Sequence, residues 1–204
     1  MGKQDFVSSG NDRLDRQLKF TAEIDQMTAV LRRTMLIDKS RRENDAEHSW
    51  HIAVMAMLFG EYAAEPVDIG RVVQMCVVHD LIEIYAGDTF AYDPVGNLDK
   101  EERERAAADR LFAMLPPEQG GMIRSLWEEF DAMETADAKY AACMDRLQPF
   151  YHNTLTDGHT WAENGTNRAM VEQRMAVIRE FMPRVYDWVE TNIENGIEKG
   201  WLAP

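Results

Sequence analysis

Two histidines and several carboxylates stand in this sequence where burial would force them to act. His48 lies in EHSWH, and His79-Asp80 directly follows the apolar run MCVV. A carboxylate carried into such surroundings must pair, take up a proton or hold a cation, because burying a bare charge is costly. Metal binding would satisfy both members of the His79-Asp80 pair. Adjacent residues on an α-helix diverge by ~100°, so the two converge on one ion only at a helix end or where facing helices curl around it. Glu83 follows His79 by one helical turn on nearly the same face. Asp88 comes next in AGDTF, and Asp145 lies in CMDRLQPF. An isolated His-Asp pair also fits a structural role, with the histidine donating to a carbonyl and the aspartate capping a neighbour. The ordered series His48, His79, Asp80, Glu83, Asp88 and Asp145, each set in apolar helix, favours a cation. Imidazoles with carboxylates suit one divalent first-row ion such as Mn, Co, Fe, Ni or Zn, with coordination left open for water and substrate.

The elements that must position these residues read as helices. Nearly every long segment carries helical period and no stretch shows strand alternation between turns, which predicts an all-α fold: one compact helical bundle over 1–204. Residues 12–31 form an entry helix or two short ones, and a polar loop follows over 34–44. Asp45 is expected to cap a second helix that runs through HSWHIAVMAMLFGEYA and stops before Pro66. Asp68 caps a third, IGRVVQMCVVHDLIEIYA, which Gly87 ends. A loop with Pro94 and Gly96 leads to a charged helix over 98–114, stopped by Pro116-Pro117. Further helices are expected over roughly 121–134 and 137–156. After a Gly- and Asn-rich loop (157–167), one long helix over about 167–199 carries Val171, Met175, Ile178, Met182, Val185 and Val189 in a heptad-like seam, kinked at Pro183. That seam packs on the domain's own core or at a homodimer interface.

Composition narrows the partners. The 204 residues hold 36 Asp and Glu against 22 Lys and Arg, a net charge of -14. Nucleic acid polymers and anionic membranes call for a basic face, which this balance opposes. No run approaches the ~20 apolar residues that span a bilayer. The N-terminus lacks the apolar core and cleavage site of a signal peptide, so a cytoplasmic location is expected. Cys76 and Cys143, far apart in apolar helix, read as small hydrophobes. The negative charge is uneven, with eleven acidic against five basic residues over 99–137 but five basic against four acidic over 31–50. The latter segment, with Arg32, Arg33, Lys39, Arg41 and Arg42, is where a small anion would be accepted, since arginine suits bidentate phosphate contact. Arg32 and Arg42 have a second reading, as bridges to Glu43, Asp45 or Glu47.

The order H…HD…D, carried by His48, His79-Asp80 and Asp145, resembles the HD-domain metal-dependent phosphohydrolase superfamily. LRRTMLIDKSRRENDAEHSWH, VVHDLIEIYAGD and MDRLQP resemble the branch that contains bacterial 5'-deoxynucleotidases and related small HD hydrolases, over about residues 20–185. The resemblance implies a hydrolase that releases phosphate from small nucleotides, above all deoxynucleoside 5'-monophosphates. Other phosphorylated metabolites, nucleoside triphosphates, alarmones and non-catalytic nucleotide binding stand as alternatives. It implies that His48, His79, Asp80 and Asp145 ligate the metal and that Glu83 is a general acid or base. Asp88 would accept a hydrogen bond from the sugar 3'-hydroxyl, and Arg33 would hold the phosphate. In that branch an aromatic residue commonly follows the arginine at the sugar, whereas here Thr34 does. HD-type di-iron oxygenases and two-metal phosphodiesterases carry further histidines between the HD pair and the last aspartate. Residues 81–144 contain none, which favours a single metal. His51 is expected to pack or orient a neighbour, and Trp50, Trp127 and Trp161 to pack in the core or an interface or to line a base pocket.

Overall fold

Polar caps set the helix starts. In the computed structural model, which describes residues 6–92, 96 and 98–204, the Asn11 side chain accepts from the Leu14 N–H and opens α1 (Asp12–Ile24). A 3-10 turn, Asp25–Ala29, follows. α2 (Asp45–Phe59) starts from Asn44 and not from Asp45. The Asn44 side chain accepts from the Glu47 N–H while the Glu47 carboxylate accepts from the Asn44 N–H, a reciprocal capping box. Asp45, one residue inside the helix, is released from capping and is fully buried. Asp68 caps α3 (Ile69–Val78) as expected, accepting from the Arg71 N–H.

The segment expected to be helix end and polar loop forms a hairpin instead. β1 (Leu31–Met35) and β2 (Arg42–Asn44) pair antiparallel, Leu31 opposite Asn44 and Met35 opposite Arg42, with an irregular register between. Its short length and charged residues hide the strand alternation. The pairing decides the fate of two neighbouring arginines, because successive strand side chains point to opposite faces. Arg32 turns inward, with 12% of its side chain exposed, and Arg33 turns out.

The third helix is likewise not continuous to Gly87. It ends at Val78 with His79 as its cap residue, and the chain tightens through i→i+3 bonds, Leu81 N–H to Val78 O and Glu83 N–H to Asp80 O, before α4 (Glu83–Ala86). Gly87 stops α4 at φ 77°, a backbone conformation that glycine adopts at little cost. α5 (Lys100–Phe112) and α6 (Pro117–Ala132) follow; Pro94, expected in the loop before them, lies outside the described residues. Pro117 occupies the first turn of α6, where its missing N–H is no loss, so this helix starts earlier than the expected 121. α7 (Ala136–Leu155) runs unbroken past Pro149.

The loop over 157–167 holds one short helix, α8 (His159–Glu163), and the expected long C-terminal helix is three: α9 (Arg168–Arg174), α10 (Ala176–Phe181) and α11 (Pro183–Glu198). Breaks fall at Met175 and Met182, and Pro183 begins α11 where a kink was expected. The seam residues Val171, Met175, Ile178, Met182, Val185 and Val189 are all buried within this one chain. The all-α class stands, with a hairpin added. At its centre α2, α3 and α7 pack against one another around Ile52, Ala56, Val72, Met75 and Met144, none of them exposed. Burying side chains of this kind stabilises by roughly 1.5–3 kcal/mol each for the larger ones. Cys76 and Cys143 are free and buried in the same core, as their apolar contexts suggest.

Candidate active site

The central three-helix packing brings one ligand-type residue from each helix to a single point. His48 comes from the first turn of α2, His79 from the end of α3 and Asp145 from the middle of α7. One ring nitrogen of each histidine and a carboxylate oxygen of Asp145 lie within 4.8 Å of one another. His48 Nε2 is 3.1 Å and His79 Nε2 3.7 Å from Asp145 Oδ1. Asp80 reaches the same point just past His79, where the α-helical bonds give way to the tighter i→i+3 bonds. Its Oδ2 is 3.0 Å from His79 Nε2 and 3.9 Å from His48 Nε2. The four expected ligands therefore converge, and they do so at a helix end.

The hydrogen bonds behind the cluster prepare it for a cation. His79 Nδ1 donates to the Cys76 carbonyl at 2.9 Å, which turns Nε2 toward Asp145, and that atom is buried without a hydrogen-bond partner. Gln148 sets His48 in the same way. Its amide nitrogen donates to Glu43 Oε1 at 2.5 Å and toward His152 Nε2 at 3.1 Å, so its oxygen must accept from His48 Nδ1 at 3.0 Å. His152 Nδ1 in turn donates to the Met35 carbonyl. Two imidazoles with Nδ1 engaged and Nε2 turned to Asp145, beside carboxylates, are the donor set of a divalent ion, and the residues present fit one.

Electrostatics point the same way. Burial, helped by Arg32, pushes His48 down to about 4 and keeps it neutral. Burial opposes the charged form of His79 too, yet Asp80 and Asp145 outweigh it and raise that histidine to about 10. An incoming cation would take the place of this proton. Asp145 is held well below the usual carboxylate range against the cost of burial, by the His48 and His79 imidazoles beside it and by Arg174. The Arg174 Nη2 lies 3.0 Å from Asp145 Oδ2.

Beside this centre lies a second group, of which the sequence series contained two members out of three. Asp45, Glu83 and Asp88 bring one carboxylate oxygen each within 4.8 Å of the others. Burial and Asp80 raise Asp45 to about 7, and burial with Asp80 and Asp45 carries Glu83 well above its ordinary value. Burial raises Asp88 as well. Glu83 Oε2 and Asp45 Oδ2 are buried with no hydrogen-bond partner. Arg32 balances part of this charge, with Nη1 2.8 Å from Asp80 Oδ2 and 3.2 Å from Asp45 Oδ1. Arg32 thus takes the bridging role, while Arg42 pairs with Glu163 and Arg41 with Glu47.

A cavity of about 320 Å³ opens onto both groups, lined in part by His79, Asp80, Glu83, Asp88, Asp145 and Arg33. Arg33 is exposed, donates to Asn164 Oδ1 at 3.1 Å and stands over the Phe90 ring at 5.3 Å. Trp127 and Trp161 are buried and also line the cavity, whereas Trp50 is 66% exposed. His51 sits 3.3 Å from Gln148 Nε2, an orienting neighbour as expected. Sequence reasoning missed Asp45 and Gln148 as parts of the site. Gln148 had a signal, because it follows Asp145 by three residues on one helix face. It also missed two cavity arginines, Arg146, although it stands within MDRLQP, and Arg174, which has no local motif.

Comparison with known proteins places this geometry. A family model described as an HD domain matches residues 24–186. A protein of Magnetospirillum magnetotacticum MS-1, described as a "predicted metal-dependent phosphohydrolase", has a crystal structure with 48% sequence identity and a TM-score of 0.91, covering 98% of this chain and 100% of that one. The 5'-deoxynucleotidase HDDC2 of Xenopus laevis is 27% identical over 157 residues, 67% of this chain and 77% of the frog protein. That of Homo sapiens is 27% identical over 132 residues, 64% of this chain and 63% of the human protein. With one model spanning most of its length and its ligand-type residues meeting at the centre of the bundle, this chain belongs to the HD domain family.

Proposed function

We propose that this protein is a metal-dependent phosphohydrolase acting on deoxynucleoside 5'-monophosphates, with His48, His79, Asp80 and Asp145 as its metal ligands. The observation that carries this reading is the pair of histidines whose Nδ1 atoms are engaged and whose Nε2 atoms meet Asp145 at the edge of a nucleotide-sized cavity. A divalent ion bound there supplies acidified water and offsets charge on the phosphoryl oxygens. Glu83, whose buried Oε2 has no partner, gives a proton to the 5'-oxygen as water adds to phosphorus and the P–O bond breaks. Asp88 accepts from the 3'-hydroxyl, and Arg33 contacts the substrate from the exposed part of the cavity. The activity named for the 5'-deoxynucleotidase relatives supports this choice of substrate.

A screen of phosphate release, crossing Mn, Co, Fe, Ni and Zn with mono-, di- and triphosphates of ribo- and deoxynucleosides, tests the reading. Preferential release from deoxynucleoside monophosphates supports it, and inactivity of the metal-loaded protein across the whole panel overturns it. A second reading on metal count, two cations in place of one, is favoured by the orphaned oxygens of Glu83 and Asp45 beside Asp88. Metal analysis giving two equivalents per chain would select it. The homodimer expected from sequence finds support in Trp50, Met57 and Leu58 of α2 beside Val77 of α3, all exposed, and not in the self-buried C-terminal seam. Light scattering that gives a monomer's mass removes it.

A further inference from the structure

We propose that Arg146 and Arg174 form the subsite that grips the phosphate of the substrate, leaving Arg33 to the nucleoside. This rests on the phosphohydrolase reading and assigns its anion to residues outside the expected loop. Arg174, at the end of α9, is one hydrogen bond from the metal centre: Asp145 turns Oδ1 to the histidines and Oδ2 to the Arg174 guanidinium. A phosphoryl group at the ion would therefore lie beside that guanidinium. Arg146 follows Asp145 directly on α7 and lines the same cavity. Among the described residues its Nε is buried without a hydrogen-bond partner, and its Nη2 meets the Met133 sulfur at 3.1 Å.

Among the described residues, no carboxylate lies within ion-pair distance of Arg146; Asp145 is the one carboxylate that pairs with Arg174. Arg146, half-buried and without an ion pair among the described residues, is thus a cation short of compensation. Adding a divalent ion at Asp145 deepens that shortage, and a dianionic phosphate ester relieves it through the donor forks of two arginines. The loop arginines are differently placed. Arg32 already faces Asp80, Asp45 and Glu43. Arg33 is held by Asn164 and by the face of Phe90, an arrangement suited to the flat, uncharged part of a nucleotide.

Isothermal titration of the metal-loaded full chain with inorganic phosphate, and separately with unphosphorylated deoxyadenosine, tests the assignment. Arg146→Gln should weaken phosphate binding by about tenfold or more while leaving the nucleoside unchanged. Arg33→Gln should do the reverse, and Arg146→Lys should recover part of the phosphate affinity. Arg146 is the better probe because Arg174 also orients Asp145. Phosphate affinity within about twofold of wild type in a folded Arg146→Gln protein overturns the proposal, as does an equal loss in Arg33→Gln. Phosphate held through Arg146 by a protein that leaves every nucleotide intact would sink the substrate reading and spare this one.

Discussion

The floor of the cavity and the outer face of α5 and α6 are built from the same kinds of residue and do opposite things with them. On the outer face, Arg105 pairs with Glu101, Arg103 with Asp99, and Arg124 with Glu128, at 2.7–2.9 Å in water. Under the cavity, Glu43, Asp45, His48 and Gln148 are at most 1% exposed. Of the eight buried side-chain atoms without a hydrogen-bond partner among the described residues, six belong to Arg32, Glu43, Asp45, His79, Glu83 and Arg146. A fold seeking only stability would not gather unpartnered polar atoms there, since each such atom costs roughly 1–3 kcal/mol. The difference teaches that the floor holds polar atoms a bound ion could satisfy, whereas the surface pairs leave nothing for a ligand to complete.

The sharpest way to break this contrast is to remove a ligand. His79→Ala or Asp145→Asn should reduce bound metal to trace levels and turnover to background, measured by metal analysis and phosphate release on the same samples; full metal content with activity would end the assignment. Glu83→Gln comes next. It should lower turnover by ~10²–10⁴-fold, the usual contribution of a general acid or base, with metal retained. Gln148→Met tests the layer behind the ligands. It removes the acceptor for His48 Nδ1 and should weaken metal affinity by ~10–100-fold, and an unchanged affinity would mean that the amide merely fills space.

The floor should also announce itself through pH. Burial, with opposition from the Met35 carbonyl and added push from His51, His48 and Arg32, lowers His152 to about 4. An unfolded chain takes up that proton below ~6.5, while the folded one resists until about 4. The unfolded state then binds more protons, and stability is lost as pH falls through this window, by about 3 kcal/mol in all. Glu43, raised to about 7 mainly by burial, works in the other direction, its stabilising share present below ~4.5 and lost as pH rises to about 7. Comparing wild type with His152→Gln isolates the histidine. The gap in stability should be widest near pH 7 and narrow toward pH 4.5, and a gap independent of pH would show that His152 does not titrate as buried.

What could be read from the sequence divides along the same line. Helices with polar caps and regular apolar spacing, such as α2, α3 and α7, were legible because their signals are local, and so was the ligand order along them. The hairpin was not, since five residues of β1 and three of β2 carry too little alternation to outweigh their charge. Missing it left Arg32 and Arg33 as equals in one loop, when strand geometry sends one to the floor and the other to solvent. The bridging alternative for Arg32 was already visible in its acidic neighbours. Arg174 was invisible for a different reason. Its partner Asp145 is 29 residues away, and nothing local to Arg174 in the sequence announces that contact.

The smallest expected effect belongs to the outer face and completes the comparison. Glu101 and Arg105 sit one turn apart on α5, acid toward the N-terminus, the favourable order for such a pair. Their side chains are 84% and 65% exposed, so water screens the attraction and holding both side chains in one geometry costs entropy. Exposed pairs of this kind contribute little. Arg105→Ala should therefore move the melting temperature by less than about 2 °C, measured by differential scanning calorimetry, and leave turnover untouched because no atom of the pair lines the cavity around Asp145. A shift of about 4 °C or more would mean that charge on this face bears on the fold as charge on the floor does, and the contrast between the two regions would fail at its simpler end.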